Sequence, residues 1–353
     1  MKKLGYKVLL YAVIVLLIAQ LSKLIFSLPY YWGNPWYGSK IEFLKSKNTK
    51  DLPNTFFFGS SRVHRQIDPA KFDQTLDTIS TLSVNSFNLG APATFCPQTY
   101  YLYENFIQSD IASNTKYVFM ELMNIELINE NVMHQSRTIY WQNFSTFKFV
   151  MKAIFSDDQV DWKHKFGYLV RYGISFIESQ YRIGFLGQLI VKKTDFNREF
   201  VGPETNGYYP LESELKVTTN RIIKNDLVKR KSSLDGDTTS LSMIALSSIK
   251  NFEDQTSTPD SIHLEKINDL IKISKDKHIK LIFVLSPRNS SSRLVSLYKS
   301  IPASNKIDLS NAAEFPELYT KENTFDIDHL NTKGSEIYST LLAEKFKDLI
   351  VDK

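Results

Sequence analysis

A serine attacks an acyl carbon only when a base can take its proton. The first candidate nucleophile in this chain is Ser61. It follows Thr55-Phe56-Phe57-Phe58-Gly59-Ser60, where β-favouring residues run straight into small ones. Such a run reads as a buried strand delivering a loop. A serine at the carboxyl end of a strand sits where open α/β sheets place their ligands. Taken alone, Gly-Ser-Ser reads equally as a polar turn. The matching base is His329, in Thr324-Phe325-Asp326-Ile327-Asp328-His329-Leu330-Asn331. On one loop, Asp326 can accept the Nδ1–H of His329 and fix its tautomer. Nε2 is then free to take a proton from serine. Asp328 is the rival partner, but an adjacent residue usually points elsewhere. Asp-x-x-His alone is a short pattern that chance also produces.

Other residues have to be brought to the same edge. Residues 83–89 read as a second strand, ending at Gly90-Ala91-Pro92. Glycine permits close approach, so the Gly90 N–H can reach a substrate oxygen, although a simple strand–helix turn explains the residue as well. Residues 116–122 read as a third strand. Asn124 lies just beyond it, as an oxyanion donor or a turn former. Strand, helix, strand in this order predicts right-handed parallel crossovers. Later, 262–277 carries an apolar helical face, and Leu281-Ile282-Phe283-Val284-Leu285 is the clearest buried strand. It ends at Ser286-Pro287-Arg288-Asn289. Residues 306–310 form a short last strand, and Asn331 or Thr332 caps the final helix.

The 353 residues allow one large domain or two modest ones. A hydrophobic share of 42% with 23% charged residues is ordinary for a globular chain. The formal net charge of +5 is mild, and no basic stripe points to nucleic acid. The one cysteine, Cys96, excludes an intrachain disulfide and a cysteine zinc cluster. His134, His164 and His263 lack metal-ligand spacing and read as surface or core histidines. Asp235-Gly236-Asp237 lacks the later ligands of a calcium loop. Nothing in the sequence calls for a metal or a cofactor. Between about 128 and 260 the α/β rhythm is lost, and the stretch reads as a largely helical insertion over one side of the site. Its basic run 228–233 reads as a solvated loop or helix end.

At the N-terminus, Lys2, Lys3 and Lys7 precede an apolar run from Val8 to Ala19. A helix over 8–22 spans roughly 22 Å, and a snorkelling Lys23 lets Leu24–Leu28 extend the span. Tyr30, Tyr31, Trp32, Trp36 and Tyr37 then form an interfacial aromatic belt. A cleaved signal peptide is the competing reading, but no small-x-small site follows cleanly. The lysines place the N-terminus in the cytoplasm and the rest outside it, periplasmic or extracellular. The expected organisation is a transmembrane anchor at 1–32 and a connector at 33–53. Two halves of an α/β domain follow at 54–128 and 260–353, with a mainly helical insertion at 129–259.

In combination, Gly59-Ser60-Ser61 after the first strand, Asn88-Leu89-Gly90 after the second, Met123-Asn124 after the third and Asp326-x-x-His329-Leu330-Asn331 before the last helix resemble the SGNH hydrolase (GDSL-like) superfamily. More narrowly, they resemble its membrane-anchored bacterial branch, which includes proteins of alginate O-acetylation and teichoic acid D-alanylation. The likeness covers about 54–124 and 261–353. It implies a three-layer α/β/α fold with a parallel sheet. It implies Ser61 as nucleophile, His329 as base and Asp326 as its orienting acid. The oxyanion hole would be the N–H groups of Ser61 and Gly90 with the Asn124 side chain. The superfamily's Gly-Asp-Ser reads Gly-Ser-Ser here, and its Gly-x-Asn-Asp block is absent. The activity implied is acyl transfer to or from an envelope or exported polysaccharide, with a separate multispanning membrane acyltransferase as partner. Simple ester hydrolysis and non-catalytic glycan binding or assembly are the alternatives.

Overall fold

The structure is a computed structural model, and it describes residues 2–25, 33–181, 198–236, 239–254 and 256–351. It divides into two compact units. One comprises residues 39–125 and 198–353, the other 1–38 and 126–197. The stretch read as one insertion is therefore shared. Residues 126–197 belong to the second unit, whereas the helices Arg221–Gly236 and Thr239–Glu253 belong to the unit that holds the sheet.

That sheet has five strands: β1 (Thr55–Phe58), β2 (Ser86–Asn88), β3 (Tyr117–Glu121), β4 (Lys280–Leu285) and β5 (Lys306–Asp308). Their spatial order is β2-β1-β3-β4-β5, and every pair is parallel. The fold class is α/β, as the alternation of strand and helix patterns predicts. β2 and β5 are shorter than the stretches 83–89 and 306–310 that announce them, and both lie at the edges of the sheet, where a strand pairs on one side only. After β2 the chain crosses β1 to form β3, so the winding reverses at β1. The crevice beside the carboxyl ends of β1 and β3 is where such sheets collect ligands.

Near-continuous apolar strands are the mark of a sheet covered on both faces. Phe57, Phe119 and Ile282 point to one side, where the helices Pro69–Ile79 and Thr332–Val351 bring Phe72, Leu76, Tyr338, Leu342 and Phe346. Phe57 stacks on Phe119 at 5.1 Å and meets Phe72 edge-on at 5.1 Å. Alternate residues face the other way, since strand side chains alternate in direction. Phe56 and Phe58 pack on Phe106, and Phe283 meets Tyr100, both from the Gln98–Phe106 helix. The helix Ser261–Asp276 adjoins it through a 2.5 Å hydrogen bond between Tyr103 and Ser274.

In the other unit, the helices Phe144–Ser156 and Trp162–Tyr181 pack through Phe147 and Phe176, whose rings are 5.3 Å apart. Tyr172 OH accepts the Ile128 N–H at 3.1 Å. The helix Lys2–Ile25 exposes Val8, Leu9, Leu10 and each residue from Val13 to Ile18. Among the described residues, no helix is long and apolar enough to cross a membrane. Residues 26–32, which the predicted span and aromatic belt need, lie outside the described residues.

Removing the ring at the centre of the sheet should be costly. Phe57→Ala is expected to lose about 3–5 kcal/mol of unfolding free energy, read by denaturant unfolding followed by circular dichroism. A loss within the range of ordinary surface changes would contradict the packing described.

Candidate active site

The site is assembled from three segments that close on each other. The first is the turn from β1 into the helix Ser61–Gln66. Ser60 is its N-cap, and its hydroxyl accepts the Arg62 N–H at 3.2 Å. A side chain at position 59 would not fit: a Cβ there would lie 2.4 Å from Val63 Cγ2 and 2.7 Å from the Glu121 carboxylate. That carboxylate, at the end of β3 and 1% exposed, accepts the Ser60 N–H at 2.8 Å. The turn is thus tied to the neighbouring strand one residue before Ser61.

The second segment carries His329. Asp326 and His329 lie on two short antiparallel strands, β6 (Thr324–Asp326) and β7 (His329–Leu330), rather than on a free loop. Asp326 Oδ1 accepts the backbone N–H groups of Asp328 and His329, each at 2.9 Å, and meets His329 Nδ1 at 2.9 Å. His329 Nε2 lies 2.9 Å from Ser61 Oγ. The structure therefore brings Ser61, His329 and Asp326 into one hydrogen-bonded line. Asp328 points elsewhere, at 3.7 Å from the Arg62 guanidinium. The first and second segments are also joined directly, because Gln66 Nε2 donates to the Asp328 carbonyl at 3.1 Å. Just beyond β7, the Asn331 side chain caps the helix Thr332–Val351 by accepting the Gly334 N–H at 2.9 Å.

The third segment follows β2. Asn88 is fully buried, and its amide donates to the carbonyls of Val63 at 2.7 Å and Ile67 at 2.8 Å. Its Oδ1 accepts the Gly90 N–H at 2.9 Å. The Gly90 amide, expected to face an oxyanion, is therefore held by Asn88. The carbonyl of Gly90 accepts from the buried Lys40 Nζ at 2.6 Å, and the same amine meets His64 Nδ1 at 2.9 Å. Burial pushes the Lys40 amine well down, with the Arg65 charge adding to it. Burial, Lys40 and Arg65 likewise push His64 well down. The Asn124 amide, the other expected donor, is exposed and donates to Ser291 Oγ at 3.2 Å. Of the three proposed oxyanion donors, only the Ser61 N–H has no protein acceptor among the described residues.

Five residues at the site carry no role in the reading of the sequence: Glu121, Asn88, Arg62, Arg230 and Arg288. Glu121 had a signal, an acidic residue inside an apolar strand. Asn88 had one too, an amide at the end of a buried run. Arg62 lies between Glu121 at 3.8 Å and Asp328 at 3.7 Å, and its Nε is buried without a partner among the described residues. Arg230 had no signal, since it comes from a basic run expected to be solvated. That run lies inside the helix Arg221–Gly236, and Arg230 Nη2 pairs with Asp326 Oδ2. A further arginine, Arg288, braces the hairpin by donating to the Asp326 carbonyl at 3.1 Å and to Thr324 Oγ1 at 2.6 Å. Among the described residues, no cluster of His, Cys, Asp or Glu could hold a metal ion.

Burial pulls the Asp326 carboxyl up, but the His329 hydrogen bond and charge, with Arg230 and the Asp328 N–H, outweigh it and hold the group at about 2. A carboxyl depressed in the folded state stabilises above its unfolded value and loses that stabilisation as pH falls through the folded one. The window is therefore from about pH 4 to about pH 2. Asp73 and Asp308 act in the opposite sense, since burial raises each to about 6. The measurement is thus a difference between proteins: unfolding free energy of wild type minus Asp326→Asn should shrink by about 2 kcal/mol on going from pH 5 to pH 2. A difference independent of pH would show that Asp326 is not held as described.

No protein-family model, curated protein or solved structure matches this chain.

Proposed function

We propose that this protein is a serine acyl-transfer enzyme of the SGNH type, with Ser61 as nucleophile, His329 as general base and acid, and Asp326 as the carboxylate that orients the imidazole. The observation that carries this reading is the continuous line from Ser61 Oγ through both nitrogens of His329 to Asp326 Oδ1, each step 2.9 Å. Reaction begins when Nε2 takes the hydroxyl proton and Oγ attacks the acyl carbonyl. The tetrahedral oxyanion forms near the Ser61 N–H. Its collapse breaks the ester bond, and His329 returns the proton to the departing alkoxide. Ser61 is left acylated. An acceptor hydroxyl, from water or from a sugar, repeats the sequence in reverse and frees the serine. Asp326 remains an anion throughout and stabilises the transient imidazolium.

The substrate reading rests on the superfamily resemblance and on the N-terminal helix. Leucine, isoleucine and valine exposed along consecutive positions of Lys2–Ile25 suit a lipid environment better than water. The proposed arrangement is an anchored enzyme working outside the cytoplasm, moving O-acetyl groups to or from an envelope or exported polysaccharide. A multispanning membrane acyltransferase would supply the acyl group where the acceptor is a sugar.

Two measurements test this. The full chain should be labelled by a fluorophosphonate serine probe and should hydrolyse a chromogenic acetyl ester. Ser61→Ala should abolish both, and His329→Ala should lower turnover by at least about 10³-fold. Labelling that survives Ser61→Ala would overturn the nucleophile. Absence of both activities with retained glycan binding would favour a non-catalytic assembly role. Gly59→Ala gives an independent check on the turn. Its Cβ would collide with Glu121, so activity should fall while Asp326 and His329 remain paired.

A further inference from the structure

The helix Trp162–Tyr181 is turned inside out for water. Its buried positions are Lys165, Tyr172, Ser175 and Ser179. Lys165 Nζ donates to the Phe155 carbonyl at 3.0 Å, Ser175 Oγ donates to the Met133 carbonyl at 2.8 Å, and the Tyr172 hydroxyl accepts the Ile128 N–H. Trp162, Phe166, Val170 and Ile177 are exposed instead, Trp162 by 75% and Phe166 by 64%. At 3.6 residues per turn these four fall within about 80° of arc and run along about 22 Å of the helix. A helix on a water-facing surface has the opposite arrangement, with the apolar stripe towards the core and the polar face outward. An exposed apolar stripe of this kind marks a surface that something apolar covers.

The preceding helix, Phe144–Ser156, continues the stripe and gives it charge. Phe144, Lys148, Lys152 and Phe155 follow helical spacing, and all four are exposed. This helix contains no acidic residue. The Phe155 ring lies 5.9 Å from that of Trp162, so the two stripes meet where the helices join. Exposed Lys163 stands next to Trp162. The helix Lys2–Ile25, whose own apolar residues are exposed, packs on Trp162–Tyr181 within the same compact unit.

We propose that this face of the second unit is a docking surface for an anionic lipid bilayer. Trp162, Phe166, Val170 and Ile177 enter the boundary between headgroups and acyl chains, and Lys148, Lys152 and Lys163 meet the lipid phosphates. Aromatic and aliphatic residues bordered by lysines are the composition of helices that lie in that boundary. The negative surface potential of anionic lipids attracts such lysines. A second copy of the chain fits the face poorly. A two-fold interface sets a patch against itself, which would bring Lys148 and Lys152 of both copies together with no acidic residue in the helix to pair them. The inference does not depend on the chemistry of Ser61. It also goes beyond the N-terminal anchor, because it brings a second folded element to the membrane and assigns the side of the unit that faces it.

The test reads which side of the helix meets lipid. Cys96 is the chain's one cysteine and is buried, so a cysteine introduced at the surface alone takes a thiol-reactive NBD fluorophore. Phe166→Cys, Val170→Cys and Ile177→Cys sample the stripe, and His164→Cys samples the exposed opposite side. Each full chain is reconstituted into vesicles of equal parts phosphatidylcholine and phosphatidylglycerol that carry a nitroxide-labelled phospholipid. The apolar face of an interfacial helix sinks about 5–10 Å, so quenching at 166, 170 and 177 should exceed that at 164 by at least about two-fold. Lys148→Gln combined with Lys152→Gln should reduce that difference, and so should vesicles of phosphatidylcholine alone. A difference indifferent to both changes overturns the assignment to anionic lipid. Equal quenching at all four positions overturns the docking surface. So does a blue shift at the stripe that grows with protein concentration without nitroxide quenching, which would give the face to a second copy. An alkaline wash of the vesicles separates this surface from the anchor. Chain that stays bound without face-specific quenching keeps the anchor and overturns the surface. Chain that shows the quenching and is then stripped by the wash supports the surface and overturns the anchor.

Discussion

An anion at Asp326 has to be satisfied from every side, because the residue is only 2% exposed. A buried carboxylate that loses a donor costs several kcal/mol, so its partners are fixed together or not at all. Two backbone amides from the tight β6–β7 turn, one imidazole and one guanidinium do this work. They come from the hairpin itself and from a helix about a hundred residues earlier. Once the carboxylate is held, the imidazole has one orientation left, and Nε2 points at Ser61. The geometry around Ser61 is therefore set largely by how one buried charge is neutralised.

The same logic of shared groups runs through the other half of the site. Glu121 closes the turn before Ser61, and Asn88 ties the helix that Ser61 opens to the Gly90 loop. Lys40 adds a second tie to that loop. Gly90 could not give way to alanine here, since a Cβ would sit 2.5 Å from the His64 nitrogen. The loop and the helix approach as backbone against backbone, which is the use of glycine at this position. Beyond them, the segment around Gly207 covers the outer edge of β2, where Asn88 N–H donates to the Asn206 carbonyl at 2.8 Å. An edge strand that would otherwise stand open is thus closed by its own chain.

What could be read in the sequence follows from range. Apolar runs at 55–58 and 281–285 announce buried strands because their signal is local. Ser61 and Asp326-x-x-His329 were legible because each sits at a strand end with a distinctive small-residue or acidic pattern. Arg230 was not, because a lysine- and arginine-rich helix looks solvated until the position of β6 is known. The hydrogen bond that engages the Gly90 amide is hidden for a related reason. Sequence shows that a glycine can approach a ligand, but not that Asn88, two residues earlier, already accepts its N–H. Helical periodicity across 129–259 likewise does not say which neighbour each helix packs on.

The separation of the site's parts along the chain has a consequence in time. Ser61 and His329 are 268 residues apart. Bringing residues so far apart in sequence together carries a loop-closure entropy cost that the rest of the fold has to offset. The β6–β7 hairpin must dock on the helix that begins at Ser61 before His329 stands beside the serine. Until then the serine is an ordinary alcohol. A nascent or partly unfolded chain therefore lacks this contact, and under the proposed acyl-transfer reading the onset of reactivity at Ser61 would mark completion of the fold.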